Sequence, residues 1–380
     1  MRRIIPSICL TLAAVTLMST GCASKGDEMI ANHRLYLKTD YAQDEVKAVF
    51  VNKSNGRTEE KTMQRGEDGD GFCQYSCEGN TGAYNKVYFT YDGEQTDEVA
   101  FNELTDGWYI SSYGVFPCTE GVEFTQKFPV TRFTLPFQGE EKDVYVWTPE
   151  DYDPDSEDKY SVIYLLDGDS ILADEENLGT WGAPESIISA MKYSDFKAIV
   201  VGIANRENTR YRELAPDLGK PSGLAEGECE VRDGNEFCEF VVNSVVPAIE
   251  EKYNVYTDSL HNAIAGSSLG GLESFYIGME HPEKFGTIGA MSPSFWMYGS
   301  DFWLDYVGKK EKNKNCPFVY LYAGGSNDNE SYALMMKRIL IAAGHPSDKM
   351  FYNVYDKGAH LVPYWRYIFP EFLKYMFINS

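Results

Sequence analysis

Residues 263–271 read Ala263-Ile264-Ala265-Gly266-Ser267-Ser268-Leu269-Gly270-Gly271, and the fold follows from them. Ala263–Ala265 is a short apolar run of the kind found in buried strands, and Leu272–Met279 is apolar at helical spacing. Between them lies a Gly-x-Ser-x-Gly pattern in the setting that gives it meaning, a strand turning sharply into a helix. Small residues are needed there because the turn is strained and neighbouring backbone packs closely. A serine at the helix N-terminus also meets the positive end of the helix dipole, which favours developing negative charge. Ser268 is therefore the candidate nucleophile. The plainer reading is a glycine-rich turn without a chemical role, and the strand and helix around it argue against that.

A serine hydroxyl is a weak nucleophile at neutral pH and needs a base held by an orienting acid. Behind an elbow of this kind the chain order is Ser, then Asp or Glu, then His, so both partners are expected after Ser268. The strand-like run Phe318–Ala323 ends in Gly324-Gly325-Ser326-Asn327-Asp328-Asn329-Glu330. Asp328 is the expected acid and Glu330 the alternative, since either reaches an imidazole from that loop. Five histidines are available for the base. His33 lies far upstream, His261 precedes the nucleophile strand, and His281 ends the nucleophile helix before Pro282. His345 sits in Gly344-His345-Pro346, where a helix closes. His360, in Gly358-Ala359-His360 just past the strand Met350–Tyr355, is the expected base.

Two backbone N–H groups are expected to hold the oxyanion of a tetrahedral intermediate. One belongs to Leu269, the residue after the nucleophile. The other is assigned to Asp169, in the loop Leu166-Asp167-Gly168-Asp169-Ser170 after the strand Val162–Leu166. Trp181, Trp296 and Tyr298 are candidates to line a substrate pocket, although aromatics after strands serve packing as often.

The rest of the chain divides in two. Strand-length apolar runs at Val144–Trp147, Val162–Leu166 and Ala198–Ile203 alternate with helical patterns at Ala183–Met191, Glu236–Tyr253, Gly270–Met279 and Tyr332–Ala343. Such alternation implies an α/β fold with a mostly parallel central sheet, assigned to residues 125–380. Residues 27–124 instead carry short alternating runs such as Val46–Val51 and Lys86–Tyr91, set off by Asn55-Gly56 and Asp92-Gly93 turns. That is the pattern of a small all-β sandwich.

Charge and cysteines bound the function. In 380 residues, 58 acidic side chains face 34 basic ones, a net charge of −24. This excludes a nucleic-acid backbone as partner and reads most simply as solubility. Residues 1–21 begin with Arg2 and Arg3, run through the mostly apolar Ile4–Met18 and reach Cys22 by way of Ser19-Thr20-Gly21. The apolar stretch is too short to span a bilayer but has signal-peptide form. The approach to Cys22 resembles the lipobox of bacterial lipoproteins, so the expectation is an outer-membrane or cell-surface protein lipidated on Cys22, with a periplasmic or secreted protein as the alternative. Loss of the two arginines with residues 1–21 would take the charge to −26. Disulfides persist outside the cytoplasm, and Cys229–Cys238, Cys73–Cys118 and Cys77–Cys118 are the open pairings. Cys73 and Cys77 have no second ligand pair at zinc spacing, so no metal is expected.

From about residue 125 onward the chain resembles the esterase D-like superfamily of α/β-hydrolases. That group holds feruloyl and acetyl-xylan esterases (carbohydrate esterase family 1-like), siderophore esterases, S-formylglutathione hydrolases and mycolyltransferases. The resemblance rests on Tyr164-Leu165-Leu166-Asp167-Gly168, Val200-Val201-Gly202-Ile203, Arg212-Glu213-Leu214-Ala215-Pro216 and Val246-Pro247-Ala248-Ile249-Glu250. It continues through the serine motif and Ser292-Pro293-Ser294-Phe295-Trp296 to His360, Trp365-Arg366 and Pro370. It implies Ser268 as nucleophile, His360 as base, the Asp328 loop as source of the acid, and the backbones of Leu269 and Asp169 as oxyanion hole, with no cofactor. Residues Met63 to Tyr109 are similar to a starch-binding-type carbohydrate module. The combined expectation is an exported serine carboxylic ester hydrolase acting on feruloyl or acetyl esters of plant polysaccharide, touching the membrane only through its lipid. A siderophore esterase of the enterobactin type, or a glycan-binding lipoprotein with an inactive hydrolase domain, are the alternatives. The oligomeric state is not legible in the sequence.

Overall fold

The computed structural model describes residues 33–39, 45–52, 54–66, 73–79, 84–91, 93–96, 98–100, 107–111, 114–118, 130–173, 181–193, 196–205, 209–221, 231–310, 316–326 and 328–379. The leader pattern of residues 1–21, Cys22 and Cys229 lie outside the described residues.

The N-terminal strands form two sheets. One runs β10 (Gly114–Cys118), β9 (Gly107–Ser111), β1 (His33–Thr39), β5 (Cys73–Gly79), β4 (Gln64–Arg65). The other runs β3 (Thr58–Thr62), β2 (Lys47–Val51), β6 (Lys86–Tyr91), β7 (Glu94–Gln95), with β8 (Val99–Ala100) also on β6. Leu35, Leu37 and Tyr75 from the first sheet and Ala48, Phe50, Val87 and Phe89 from the second share one core, which makes the pair a sandwich. Cys118 cannot bridge to Cys73 or Cys77. Its strand and β5 are separated by β9 and β1, three strand spacings or about 14 Å, beyond the roughly 7 Å that a disulfide spans between Cα atoms. Cys77 and Cys238 are buried free thiols, so neither takes part in the pairings that the sequence left open.

The rest of the chain is built on an eight-stranded sheet. Its strands are β11 (Thr131–Phe137), β12 (Glu140–Trp147), β13 (Ser161–Leu166), β14 (Ala198–Ile203), β15 (Asn262–Ser267), β16 (Thr287–Met291), β17 (Phe318–Ser326) and β18 (Met350–Ala359). They lie in the order β11-β12-β14-β13-β15-β16-β17-β18. The pairings β11–β12 and β12–β14 are antiparallel and the remaining ones parallel, so the sheet is mixed with a parallel body. Both faces are covered. Val162, Tyr164 and Leu166 enter one core with Phe237, Leu272, Phe275 and Leu340, while Ile163 and Leu165 enter the other with Ile187, Phe369 and Phe372. Burial on both faces is why these strands read as unbroken apolar runs.

Three elements depart from the expected pattern for identifiable reasons. Strands β11 and β12 meet in a two-residue turn with positive φ at Gln138 (51°) and Gly139 (82°), a hairpin geometry that glutamine does not advertise. The expected helix Glu236–Tyr253 is two helices, Gly234–Phe240 and Val246–Lys252, joined by a π turn at Val241–Val245. Pro247 has no N–H and would strike the Asn243 carbonyl in α geometry, and the wider turn removes that conflict. Strand β16 is interrupted in sequence by Gly289, where a Cβ would lie 2.7 Å from Ala265 Cβ and 2.8 Å from Phe372. The helix Val362–Asn379 packs there, and only glycine admits it.

Candidate active site

The strand β15 is wholly buried and delivers Ser268 to a turn with φ 59° and ψ −119°, from which the helix Leu269–Glu280 departs. That conformation suits glycine, and a serine held in it stores strain. Backbone hydrogen bonds fix it: Ser268 N–H donates to Met291 O (3.0 Å), and Ser294 N–H donates to Ser268 O (2.9 Å). The flanking glycines are steric necessities. A Cβ on Gly266 would run into the Gly270 carbonyl, and one on Gly271 would lie 3.0 Å from Met291 O. Ser268 is partly exposed, and Leu269 N–H belongs to the first helical turn, whose donors have no acceptor within the helix.

The acid and base come from the carboxyl ends of β17 and β18. His360 Nδ1 lies 2.6 Å from Asp328 Oδ1. Asp328 Oδ2 accepts from Ser292 Oγ at 2.5 Å and from Gly324 N–H at 2.5 Å. Ser292 Oγ in turn accepts from Trp365 Nε1 at 2.8 Å, and the Trp365 ring meets the His360 ring edge to face at 5.2 Å. With Nδ1 donating to the carboxylate, Nε2 is left as the basic nitrogen. Asp328 is buried while His360 is 37% exposed in its side chain, so the acid is sheltered and the base is open to a ligand. Of the two acids weighed from sequence, Asp328 is the one in contact with His360; Glu330 stands exposed at the start of the helix Glu330–Ala343. Ser292 joins the two halves of the site, because Met291 and Ser294 on either side of it bind the Ser268 backbone.

The third component follows β13. Asp167 has φ 58°, and its carbonyl accepts Ser170 N–H (3.1 Å) and Ile171 N–H (3.0 Å) as the short helix Gly168–Ala173 begins. Gly168 packs its Cα against the Gly202 backbone, where a Cβ has no room. The Asp167 carboxylate is gripped by Arg210, with Nε on Oδ1 at 2.6 Å and Nη2 on Oδ2 at 2.8 Å, and by the Asn205 side-chain amide. Burial pushes the neighbouring Asp169 carboxyl up, backbone N–H groups acting against that and the Asp167 charge adding to it. Neither Arg210 nor its contact was anticipated from sequence, where Arg210 is one polar residue of Arg210-Tyr211-Arg212-Glu213.

The aromatic candidates separate clearly. Trp181 and Tyr298 are each 1% exposed. Trp181 packs on Trp365 and Phe369, while Tyr298 packs on Phe302 and Trp303 with its hydroxyl on Pro216 O. Both are core residues in this conformation, so neither lines an open pocket. Trp296 alone is half-buried at the edge of the core. Among the described residues, no helix is long and apolar enough to cross a membrane.

Comparison with known proteins agrees with this architecture. The chain is 26% identical over 239 residues to an uncharacterized protein, YbbA, of Bacillus subtilis, covering 60% of this chain and 88% of that one. The enterobactin esterase Fes of Shigella flexneri superposes with a TM-score of 0.51 at 16% identity, over 88% of each chain. The BES protein of Bacillus cereus superposes with a TM-score of 0.50 at 20% identity, over 68% of this chain and 99% of its own. At those identities the structural likeness is one of fold, an α/β-hydrolase of the esterase type. Residues 137–376 match the family model described as putative esterase, and the chain belongs to that family.

Proposed function

We propose that this protein is an exported serine esterase that removes feruloyl or acetyl groups from plant cell-wall polysaccharide through an acyl-enzyme. The observation that carries the chemistry is the buried Asp328 contact with His360 Nδ1, at the carboxyl ends of β17 and β18, two and three strands along the sheet from β15, which ends at the strained Ser268. In this reading Ser268 Oγ attacks the ester carbonyl while His360 Nε2 takes its proton. The N–H groups of Leu269 and Asp169 receive the oxyanion. His360 then protonates the departing alcohol, and a water activated in the same way releases the acid and restores the serine. Of the three aromatics weighed, Trp296 is the partly exposed one, and this reading assigns it to the acyl group.

The substrate class rests on the sequence resemblance and on the chain outside the esterase match. A tether through Cys22 and a β module ahead of the esterase domain suit a polymer outside the cell, with the module binding glycan. A second reading is favoured by one observation: the likeness to the enterobactin esterase covers 88% of this chain, more than residues 137–376 supply, so it reaches into the N-terminal strands. Against it stands the net charge of −24, which disfavours an anionic ferric siderophore. The test is a panel of p-nitrophenyl acetate, methyl ferulate, acetylated xylan and enterobactin, run with wild type and Ser268→Ala. Turnover abolished in Ser268→Ala supports the serine mechanism, and the preferred ester among the last three assigns the substrate. Wild-type protein inert on all four would leave the hydrolase reading without support.

A further inference from the structure

We propose that the Asp167–Arg210 ion pair holds the two backbone donors of the oxyanion hole in register, making both residues positioning residues for turnover; this rests on reading Ser268 as the nucleophile. Asp167 touches both arms of the hole. It stands two residues before Asp169, one donor, in the same turn. Its Oδ2 lies 2.9 Å from where a Cβ on Gly270 would sit, and Gly270 follows Leu269, the other donor. One carboxylate is thus wedged between the loop after β13 and the first turn of the nucleophile helix.

The wedge needs to be held. Asp167 is buried and has φ 58°, a region that few non-glycine residues occupy. The Arg210 fork supplies that constraint with two parallel hydrogen bonds, a geometry that a lysine ammonium cannot reproduce. Arg210 itself stands on a fixed base. Glu213, at the other end of the short helix Arg210–Glu213, binds Lys142 Nζ at 2.5 Å with both side chains 1% exposed. Arg212, in the same helix, binds Asp233 (Nε to Oδ2, 2.9 Å). A rigid platform, a planar fork and a carboxylate in contact with both donor segments make one continuous support. A merely structural ion pair would affect stability and leave the rate per folded molecule unchanged. A support for the oxyanion hole acts on kcat, because the oxyanion exists only after attack.

The test uses the full chain with p-nitrophenyl acetate, comparing wild type, Ser268→Ala, Arg210→Met, Arg210→Lys and the double variant Asp167→Asn/Arg210→Met, each with its melting temperature. The expected result for Arg210→Met is a fall of about 100-fold in kcat with KM within about threefold of wild type. Arg210→Lys is expected to recover less than about a tenth of the lost rate. The double variant removes both charges and is expected to stay as slow as Arg210→Met. A double variant restored to wild-type rate would show that the pair only neutralises charge, and overturns the proposal. So does an Arg210→Met protein, or an Arg210→Lys protein if the former does not fold, that turns over at the wild-type rate. An inert wild type overturns the nucleophile reading and this proposal with it, whereas an active wild type beside unaffected Arg210 variants overturns this proposal alone.

Discussion

Ser292 Oγ donates to Asp328 Oδ2 at 2.5 Å, which leaves Oδ1 free to hold His360 at 2.6 Å. The acid is therefore aimed by a serine from a different strand end, and that serine is itself fixed by the Trp365 indole. Ser292→Ala removes a donor from Asp328 and strands a buried N–H, which costs about 1–3 kcal/mol. Urea denaturation should show a loss in that range, with kcat falling about tenfold as His360 loses its fixed orientation. Wild-type kcat in a folded Ser292→Ala protein would remove Ser292 from the argument.

The two acids weighed from sequence are separable by substitution. Asp328→Asn should lower kcat by about 10⁴-fold in a folded protein, because an amide no longer selects the Nδ1–H tautomer. Glu330→Gln, at an exposed helix start, should turn over at close to the wild-type rate. Steady-state kinetics on an activated ester decide it, and the opposite ranking would transfer the role to Glu330.

Ser268 occupies φ 59° and ψ −119°, where glycine is at ease and serine is strained. Ser268→Gly should therefore be inactive yet more stable than wild type by about 1–2 kcal/mol, before the backbone entropy of glycine is counted. Ser268→Ala, which keeps the Cβ, should be equally inactive without that gain. Equal stability of the Gly and Ala variants in thermal unfolding would mean that the turn stores no strain.

The elbow, both late loops and the parallel strands were legible because each depends on local chemistry: a glycine turn, an apolar run, a histidine after a strand. The Asp328–His360 contact was legible only as a choice between neighbours, since a loop of seven small and acidic residues does not fix which carboxylate points inward. Strand β16 and the helix Val362–Asn379 were not read as such. Gly289 and Pro370 look like breakers, yet Pro370 lies inside the helix, and Gly289 leaves the room that the helix residue Phe372 fills. With β16 unread, Ser292 at its carboxyl end had no place in the site. The Arg210 contact with Asp167 spans 43 positions of sequence, and no local pattern announces it.

Lys142 and Glu213 form a buried ion pair between strand β12 and the helix Arg210–Glu213, and Lys142 Nζ also lies 5.3 Å from the ring centres of both Phe137 and Phe237. Removing one partner leaves a charge in an apolar setting. Lys142→Met or Glu213→Leu alone should destabilise by about 3–5 kcal/mol. The double variant should recover most of that, since an apolar pair of similar volume avoids the desolvation penalty. Guanidinium unfolding of the three variants gives the coupling directly. Additive losses would show that the two side chains act independently.

Glu273, on the nucleophile helix, is fully buried, and neither carboxyl oxygen has a hydrogen-bond partner. Burial alone drives its carboxyl well above the usual carboxylate range, so the folded protein keeps the proton at pH values where the unfolded chain has lost it. The folded state is thus at no disadvantage below about pH 4.3, where both states are protonated. Above that, stability falls by up to about 1.4 kcal/mol per pH unit until the folded carboxyl begins to ionise. Glu273→Gln keeps the shape and has no proton to lose. Its advantage over wild type should be small at pH 5 and grow steadily towards pH 8, read as the separation of urea midpoints. Midpoints that stay a constant distance apart across that range would show that Glu273 is already ionised in the native protein.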